Sequence, residues 1–294
     1  MNKKKLCVLH CLTITMVFAC LTAAGNGIVS AQTVTKKWAT KKLFRNPESV
    51  LYDRDRDILY VANINGEPSE KDGNGFISKL GLDGEIIALK WVTGLNAPKG
   101  MGVFKGKLYV ADIDRVVEIN TEKGKVIGEY TSPKARFLND ISVHSSGIVY
   151  ISDNWINTIF RLRGGRLEPW LESNQFNLPN GLWAEEDRLL IGMDNAVLHV
   201  DYQKKNVTNF IMETGFIDGL VATGDGGYLV SDFHGAVHIV RPGEKAIKIL
   251  DTSKDEIMAA DIDFIIYQRL LLVPTFFDNR VMAYEMLNDS IEKP

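Results

Sequence analysis

Residues 216–240 read FIDGLVATGDGGYLVSDFHGAVHIV, and the rest of the chain repeats their pattern. The stretch contains three short apolar runs, at Leu220–Ala222, Tyr228–Ser231 and Ala236–Val240, separated by turns rich in Gly and Asp. Short apolar runs bounded by such turns are typical of antiparallel strands joined by hairpins. The stretch therefore predicts three consecutive strands.

The same pattern occurs in six units along the chain. The second position of the first strand in each unit is Glu48, Lys99, Asn139, Asn180, Asp218 and Ala260, which gives spacings of 51, 40, 41, 38 and 42 residues. A period of about 40–45 residues with short strands is typical of the four-stranded blades of a propeller. We therefore predict an all-β, six-bladed β-propeller.

The two ends of the repeat predict how the ring closes. The last unit has three strands before the chain ends, and the strand-like segment Lys36–Phe44 precedes the first unit. We expect this N-terminal segment to supply the outer strand of the sixth blade, because closure protects strand edges from pairing with other chains. The unbroken repeat predicts one domain over residues 32–294.

The N-terminus has the pattern of a targeting segment. Lys3–Lys5 is positive, Leu6–Ala24 is mostly apolar, and Val29–Ala31 matches a small-residue cleavage site. This order predicts a signal peptide over residues 1–31 and a periplasmic or secreted protein. The alternative is a lipoprotein acylated at Cys20, which Phe18 fits poorly.

Composition excludes several classes of function. All three cysteines precede residue 32, so the mature chain would have no disulfide and no thiol nucleophile. Its net charge would fall from −3 to −6, because the removed segment contains three lysines and no acidic residue. An acidic chain without a basic run argues against nucleic-acid binding. The sequence has no nucleophile elbow, no phosphate-binding loop and no membrane span after the N-terminal segment. We expect a monomer that binds a small molecule.

Propeller geometry predicts that the six second positions meet in one ring, because the first strand of every blade lines the central channel. Five of these six residues are polar, and unpaired polar groups in a packed channel are costly. Carboxylates and amides are also the ligands that hard cations prefer. Two interpretations stay open at this point: a water-filled channel with a polar rim, or a functional site.

The loops between the second and third strands should surround the same end of the channel. The longest of them, Asn63–Gly75, accounts for the longer first spacing. Exposed aromatic side chains at a channel mouth can cover a ligand or pack between blades; those in these loops are Trp155, Phe276 and Phe277. Three aspartates lie directly after the second strand of their units: Asp112, Asp153 and Asp232. Their equivalent positions predict a turn role in which the side chain accepts hydrogen bonds from local backbone N–H groups.

Four short motifs, in this order, allow a comparison with a known family: Glu48-Ser49-Val50, Asn139-Asp140, Pro179-Asn180-Gly181-Leu182 and Asp218-Gly219-Leu220. With these motifs the mature chain resembles the senescence-marker-protein / gluconolactonase / luciferin-regenerating-enzyme family of six-bladed propellers. The resemblance covers essentially all of the mature chain.

The resemblance implies a divalent cation, calcium or zinc, held by Glu48, Asn180 and Asp218. It also implies hydrolysis of a lactone or similar cyclic ester, for example a sugar lactone, with Asp218 and Glu48 as the catalytic carboxylates. Asn139 would contact the substrate. Arg136 would contact it too, although the run Arg136-Phe137-Leu138-Asn139-Asp140 is one residue longer than the family's Arg-Phe-Asn-Asp.

Lys99 departs from this family pattern, and it lies in the ring beside Glu48. Opposite unit charges about 4 Å apart gain roughly 4 kcal/mol at an effective dielectric constant near 20, before desolvation. The ammonium would repel a dication. It would instead pair with the ring carboxylates, bind a substrate carboxylate, or simply extend its charged end into the rim of the channel. One alternative is therefore a non-catalytic ligand- or protein-binding propeller in which Lys99 replaces the metal. Another is a metal-free, strictosidine-synthase-like enzyme in which Lys99 or Glu48 transfers protons.

Overall fold

The computed structural model describes residues 33–287. The predicted signal peptide and the alternative acylation site at Cys20 lie outside these residues. Almost every element is a strand, and the helices within residues 33–287 are short 3-10 turns at Ser253–Asp255, Ile266–Gln268 and Phe276–Asp278. None of these described helices is long and apolar enough to cross a membrane.

Neighbouring strands pair antiparallel in five hydrogen-bonded sheets. After β1 (Val34–Ala39), the first sheet contains β2 (Pro47–Asp53), β3 (Ile58–Asn63), β4 (Gly75–Leu80) and β5 (Ile86–Leu95). The second sheet contains β6 (Pro98–Phe104), β7 (Lys107–Asp112), β8 (Arg115–Asn120) and β9 (Lys125–Thr131). The third contains β10 (Leu138–Val143), β11 (Val149–Asp153), β12 (Thr158–Arg163) and β13 (Arg166–Glu172).

The fourth sheet has six strands and the fifth has four. The fourth contains β14 (Leu182–Ala184), β15 (Arg188–Asp201), β16 (Val207–Ala222), β17 (Tyr228–Asp232), β18 (Ala236–Val240) and β19 (Ile247–Asp251). The fifth contains β20 (Asp263–Ile265), β21 (Leu270–Pro274) and β22 (Val281–Met286), with β1 paired outside β22.

The sequence predicts six separate sheets, and the structure has five because β16 belongs to two repeat units. Its first half pairs with β15, where Val207 lies opposite Val200. Its second half pairs with β17, where Ala222 lies opposite Tyr228. One continuous strand of 16 residues therefore joins the fourth and fifth units into a single sheet.

The N-terminal strand lies at the edge of the last sheet. It runs from Val34 to Ala39 rather than over the predicted Lys36–Phe44. It pairs antiparallel with β22, with Val34 opposite Met286 and Ala39 opposite Met282.

The hydrophobic core lies between successive sheets, because neighbouring side chains of a strand point to opposite faces. In β3, Leu59 and Val61 pack with residues of the fifth sheet. Tyr60 and Ala62 pack instead with residues of the second sheet. Full burial of a large apolar side chain contributes about 1.5–3 kcal/mol. A sheet with two buried faces is what the repeated Leu-Tyr-Val strands require.

Two of the three predicted capping aspartates fix the chain where it enters the first strand of its own unit. Buried Asp112 accepts hydrogen bonds from the N–H groups of Asn96 and Ala97, at 2.9 and 2.8 Å, and from Nε of Arg115 at 2.8 Å. Asp153 accepts from the N–H groups of Arg136 and Phe137, at 2.7 and 3.0 Å.

The third aspartate differs, because Asp232 accepts from the N–H of His234 in its own turn, at 3.0 Å. Asp112 and Asp153 therefore position the start of an inner strand, whereas Asp232 stabilises a local turn.

Asp112→Ala should lower the free energy of unfolding by about 2–4 kcal/mol, because two backbone N–H groups and a guanidinium lose a buried acceptor. Urea unfolding monitored by circular dichroism measures the change. The control is Asp114→Ala, which removes only a partly exposed ion pair with Lys71 and should change stability by less than about 1 kcal/mol. Equal losses in the two variants would contradict the role given to Asp112.

Candidate functional site

The structure buries all six ring residues predicted from the repeat. Their exposed fractions are 6% for Glu48, 2% for Lys99, 6% for Asn139, 3% for Asn180, 6% for Asp218 and 0% for Ala260. Nδ2 of Asn180 donates a hydrogen bond of 2.6 Å to Oδ1 of Asp218. The charges of Asp218 and Lys99 both act on the carboxyl of Glu48. The structure therefore brings Glu48, Lys99, Asn180 and Asp218 together.

Glycines that follow two of these residues allow the inner strands to approach closely. A Cβ atom on Gly219 would lie 2.5 Å from the backbone nitrogen of Ile262 in the next unit. A Cβ on Gly181 would lie 2.8 Å from the carbonyl oxygen of Asp218. Contacts under 3 Å leave no room for a side chain, so glycine at these two positions lets the inner strands of neighbouring units approach closely.

Glu48 carries the least satisfied carboxylate of the ring. Its Oε2 is buried without a hydrogen-bond partner among residues 33–287. Burial raises its pKa well above the usual value, the charge of Asp218 raises the pKa further, and Lys99 opposes both. Burial also raises the pKa of Asp218 to about 7, against the hydrogen bond from Asn180. Glu48 and Asp218 are therefore two buried carboxyls whose charged forms are disfavoured by burial.

Lys99 is held by backbone carbonyl groups and by an aromatic ring. Its Nζ donates to the carbonyl oxygens of Pro68 and Ala97, at 2.8 and 3.0 Å, and lies 4.3 Å from the ring centre of Phe137. Burial lowers its pKa to about 8, although the charge of Glu48 favours the ammonium form. Within the described part of the chain, no ion pair joins Lys99 to Glu48.

The long loop of the first unit takes part in this arrangement, because Pro68 belongs to it. The loop is also joined to the second unit by an ion pair of 2.5 Å between Lys71 and Asp114. The loop therefore covers the side of the ring that contains Lys99, which explains why a lysine in this position is almost fully buried.

A second layer of carboxylates lies below the ring, and the sequence interpretation missed its role. Asp140 accepts from the N–H groups of Ile141 and Leu182, at 2.6 and 2.5 Å, and burial raises its pKa to about 8. Burial, and then the charges of Asp140 and Glu48, raise the pKa of Asp261 well above its usual value. The available signal was the third position of each unit, which is Asp in the third and sixth units and Ser or Gly in the others.

A cavity of about 380 Å³ lies further along the inner strands. It is lined by apolar side chains together with Asp140, Asp261 and Asp263. The second carboxylate layer therefore borders this cavity, at the end of the channel opposite the predicted mouth.

The two predicted substrate contacts of the third unit are placed differently. Asn139 is buried in the ring. Arg136 is exposed, and its Nη1 donates to the carbonyl oxygens of Pro133 and Ala135, both at 2.8 Å. The structure therefore does not bring the guanidinium of Arg136 into the ring.

The donor set suits a hard cation in its chemistry. No group of three or more His, Cys, Asp or Glu side chains is arranged to hold a metal ion in residues 33–287. The predicted set has two carboxylates and one amide, and amide oxygens also bind calcium. Oε2 of Glu48 is buried without a hydrogen-bond partner among residues 33–287, and the charge of Asp218 acts on the same carboxyl. Glu48, Asn180 and Asp218 therefore fit an oxygen-bound divalent cation.

Comparison with known proteins identifies the fold. No family model and no curated protein matches the chain. A solved streptogramin B lyase superposes with a TM-score of 0.63 at 12% identity, over 87% of this chain and 98% of that one. The solved structure of a protein assigned to a family as a gluconolactonase superposes with a TM-score of 0.64 at 16% identity, over 87% of this chain and 92% of that one. Virginiamycin B lyase from Staphylococcus aureus gives 0.57 at 15% identity, over 89% and 90%. At these identities the likeness shows a β-propeller fold.

The buried carboxyls predict how stability depends on pH. The pKa values of Asp140 and Asp218 in the folded protein, about 8 and 7, exceed the ordinary 3.8, so the folded state binds these protons more tightly than the unfolded chain. Their contribution to stability is present below pH 4 and is lost as pH rises through 7 and 8. We expect a lower unfolding temperature at pH 8.5 than at pH 5.5, measured by calorimetry in EDTA.

Asp140→Asn should reduce this pH dependence, because one of the buried carboxyls no longer titrates. Asp187→Asn, at an exposed position, is the control and should leave the dependence unchanged. An unfolding temperature that rises steadily from pH 5.5 to 8.5 in the wild-type protein would contradict the prediction.

Proposed function

We propose that this protein is an enzyme that hydrolyses a lactone or a similar cyclic ester at the ring of Glu48, Asn180 and Asp218. The single observation that carries the proposal is the buried, partnerless Oε2 of Glu48 beside the Asn180–Asp218 hydrogen bond. Such a group costs free energy unless a ligand satisfies it. Polar groups that are poorly satisfied in a native fold are typical of functional sites.

The oxygen atoms of Glu48, Asn180 and Asp218 would hold a divalent cation, calcium or zinc. When bound, the cation polarises the ester carbonyl and stabilises the negative charge that develops on its oxygen. Asp218, in its ionised form, accepts the proton of the attacking water and returns it to the ring oxygen as the C–O bond of the ester breaks. Asn139 orients the substrate from the neighbouring unit. Arg136 lies outside this step.

We also propose that the ring has six blades, with the six-stranded sheet counting as two of them. Two backbone features support this count: Asn195, with φ of 60°, lies inside β15, and Gly215, with φ of 77°, lies inside β16. A left-handed residue turns the chain sharply, so each long strand bends at that residue. Its two halves then occupy two neighbouring strand positions of the propeller. On this count, the pairing of β1 with β22 closes the ring. We propose export through the N-terminal segment as well.

Asp218→Ala should remove cation binding and lower kcat/KM on the substrate lactone at least about 100-fold, since a cation ligand and a general base are lost together. Calorimetric titration with Ca²⁺ and Zn²⁺ and a panel of sugar and aliphatic lactones measure the two effects. Asp225→Ala, in the turn between β16 and β17, is the control and should behave as the wild type. A variant at Asp218 that still hydrolyses lactones at the wild-type rate would rule out the proposed function.

A second candidate is a non-catalytic binding propeller in which Lys99 takes the place of the cation. The observation that favours it is the buried ammonium of Lys99, whose charge acts on Glu48. An ammonium this close to the ring disfavours a dication by charge repulsion. The loop that covers Lys99 would then be part of the surface that binds the ligand or the protein partner.

The two candidates are separated by Lys99→Met, which removes the charge and keeps a side chain of similar length. If Lys99 replaces the metal, Ca²⁺ affinity should appear or increase at least about 10-fold in the variant, because the repulsion is gone. Calorimetric titration of the wild type and the variant gives the comparison, with Lys107→Met at a partly exposed position as the control. Unchanged Ca²⁺ binding would count against the second candidate.

A further inference from the structure

The cavity below the carboxylate layer is enclosed by all six units of the chain. Each unit contributes the fourth and fifth positions of its first strand to the wall. The six fourth positions are buried apolar side chains: Val50, Met101, Ile141, Leu182, Leu220 and Ile262. The cavity therefore lies on the axis of the ring, and these six side chains form an apolar collar directly below the carboxylates.

The third positions, between the ring and this collar, carry three side-chain oxygen groups and no cation. They are Ser49, Asp140 and Asp261, and the other three positions are glycines. The side chains of Asp140 and Asp261 are joined by a hydrogen bond. Two carboxyls share a hydrogen bond only when one of them holds a proton, so the pair carries one negative charge. No ion pair of residues 33–287 includes either carboxyl.

Asp261 is the carboxyl of this layer that lacks compensation. Asp140 accepts hydrogen bonds from two backbone N–H groups. Asp263, in the wall of the cavity, also accepts from two, at 2.7 Å each. For Asp261, burial and then the charges of neighbouring acids disfavour the ionised form and raise the pKa. A positive charge in the cavity next to Asp261 would therefore be stabilised.

Ser49 supplies a third oxygen atom on the side of this pair. Its Oγ is buried, with the residue 1% exposed, and has no hydrogen-bond partner among residues 33–287. Ser49 and Asp261 form a bridge between neighbouring inner strands. Residues paired in a bridge direct their side chains to the same side of the two strands, so the hydroxyl of Ser49 lies on the side of the Asp261 carboxyl. A buried hydroxyl without a partner is costly, and a ligand with a free donor would satisfy it.

Three acceptor groups above an apolar collar select one kind of cation. A hard inorganic cation takes about six or more oxygen ligands, and the collar offers none. A primary ammonium has three N–H donors, one for each of the three acceptor groups, and it carries an apolar chain. Its single charge also matches the single negative charge of the carboxyl pair. Beyond the collar the wall is only half-buried, at Leu51, Val103 and Ala184, so the chain has a path toward solvent.

We propose that this cavity binds an alkylammonium ion, with its NH₃⁺ group at Ser49, Asp140 and Asp261 and its alkyl chain along the collar. The site is separate from the ring of the proposed hydrolase, and amine binding does not depend on lactone hydrolysis.

Calorimetric titration with hexan-1-amine at pH 7 tests the site, and its analogues separate the charged group from the chain. Hexan-1-ol keeps the chain without the charge, and methylamine keeps the ammonium with a single carbon. Both should bind at least about 10-fold more weakly than hexan-1-amine, because charged hydrogen bonds and buried CH₂ groups each contribute that factor or more. Hexanoate, which has the opposite charge, should not bind.

Asp261→Asn should raise the Kd of hexan-1-amine at least about 10-fold and leave that of hexan-1-ol unchanged, because it removes the charge and keeps the shape of the side chain. The matched control is Asp187→Asn. Asp187 is exposed in the turn that follows β14, at the same end of the channel, so this variant removes a charge outside the cavity. It should leave both ligands unaffected.

Ala184→Phe tests the cavity without changing the carboxyl layer. The larger side chain fills the outer part of the cavity, where the alkyl chain would lie. It should weaken hexan-1-amine at least about 10-fold and leave methylamine unchanged, because only the longer ligand needs that space.

Three results would overturn the proposal. A wild-type protein that does not bind hexan-1-amine, or that binds hexan-1-ol equally well, has no ammonium site in this cavity. A larger loss of affinity in Asp218→Asn than in Asp261→Asn would place the amine in the ring instead. Binding of Ca²⁺ that disappears in Asp261→Asn, without binding of hexan-1-amine, would assign the layer to an inorganic cation.

Discussion

Burial of four carboxyl groups around one axis is the constraint on which the rest of the structure depends. Burial is the main reason why the pKa values of Glu48, Asp140, Asp218 and Asp261 are all raised. Removing an ion from water costs several kcal/mol even after the protein relaxes. The fold must therefore surround these groups with donors, with cations or with bound protons.

The inner strands supply part of this compensation through their backbone. Asp140 receives N–H groups from its own strand and from the next unit, through Ile141 and Leu182. The N–H of Asp261 in turn donates to the carbonyl oxygen of Glu48, at 2.9 Å. Such contacts between units require strands that nearly touch, which the absence of a side chain at Gly219 allows. The same close approach of the inner strands therefore makes the channel narrow and supplies hydrogen bonds between its units.

The ring could be predicted from the sequence because it depends only on the repeat and on strand geometry. Side chains of a strand alternate between faces, so residues at the same place in each unit must share an environment. The structure buries all six of them accordingly. What the repeat did not reveal is set by contacts between distant parts of the chain. Lys99 bonds to Pro68, 31 positions earlier, and no local pattern indicates that acceptor. Arg136 is the exception, because its guanidinium donates to the carbonyl oxygens of Pro133 and Ala135, three positions and one position earlier in the chain, rather than reaching the ring.

The charges of the channel also imply that protons would compete with the proposed cation. Lys99 provides one positive charge for the carboxyls around it, and its Nζ is committed to two carbonyl oxygens. At neutral pH, protons on Asp218 and Asp140, with pKa values of about 7 and 8, neutralise part of the remaining charge. A divalent cation needs ionised ligands, so its binding must release such protons. If the proposed cation binds at Asp218, its affinity is linked to proton release and increases as pH rises through 7.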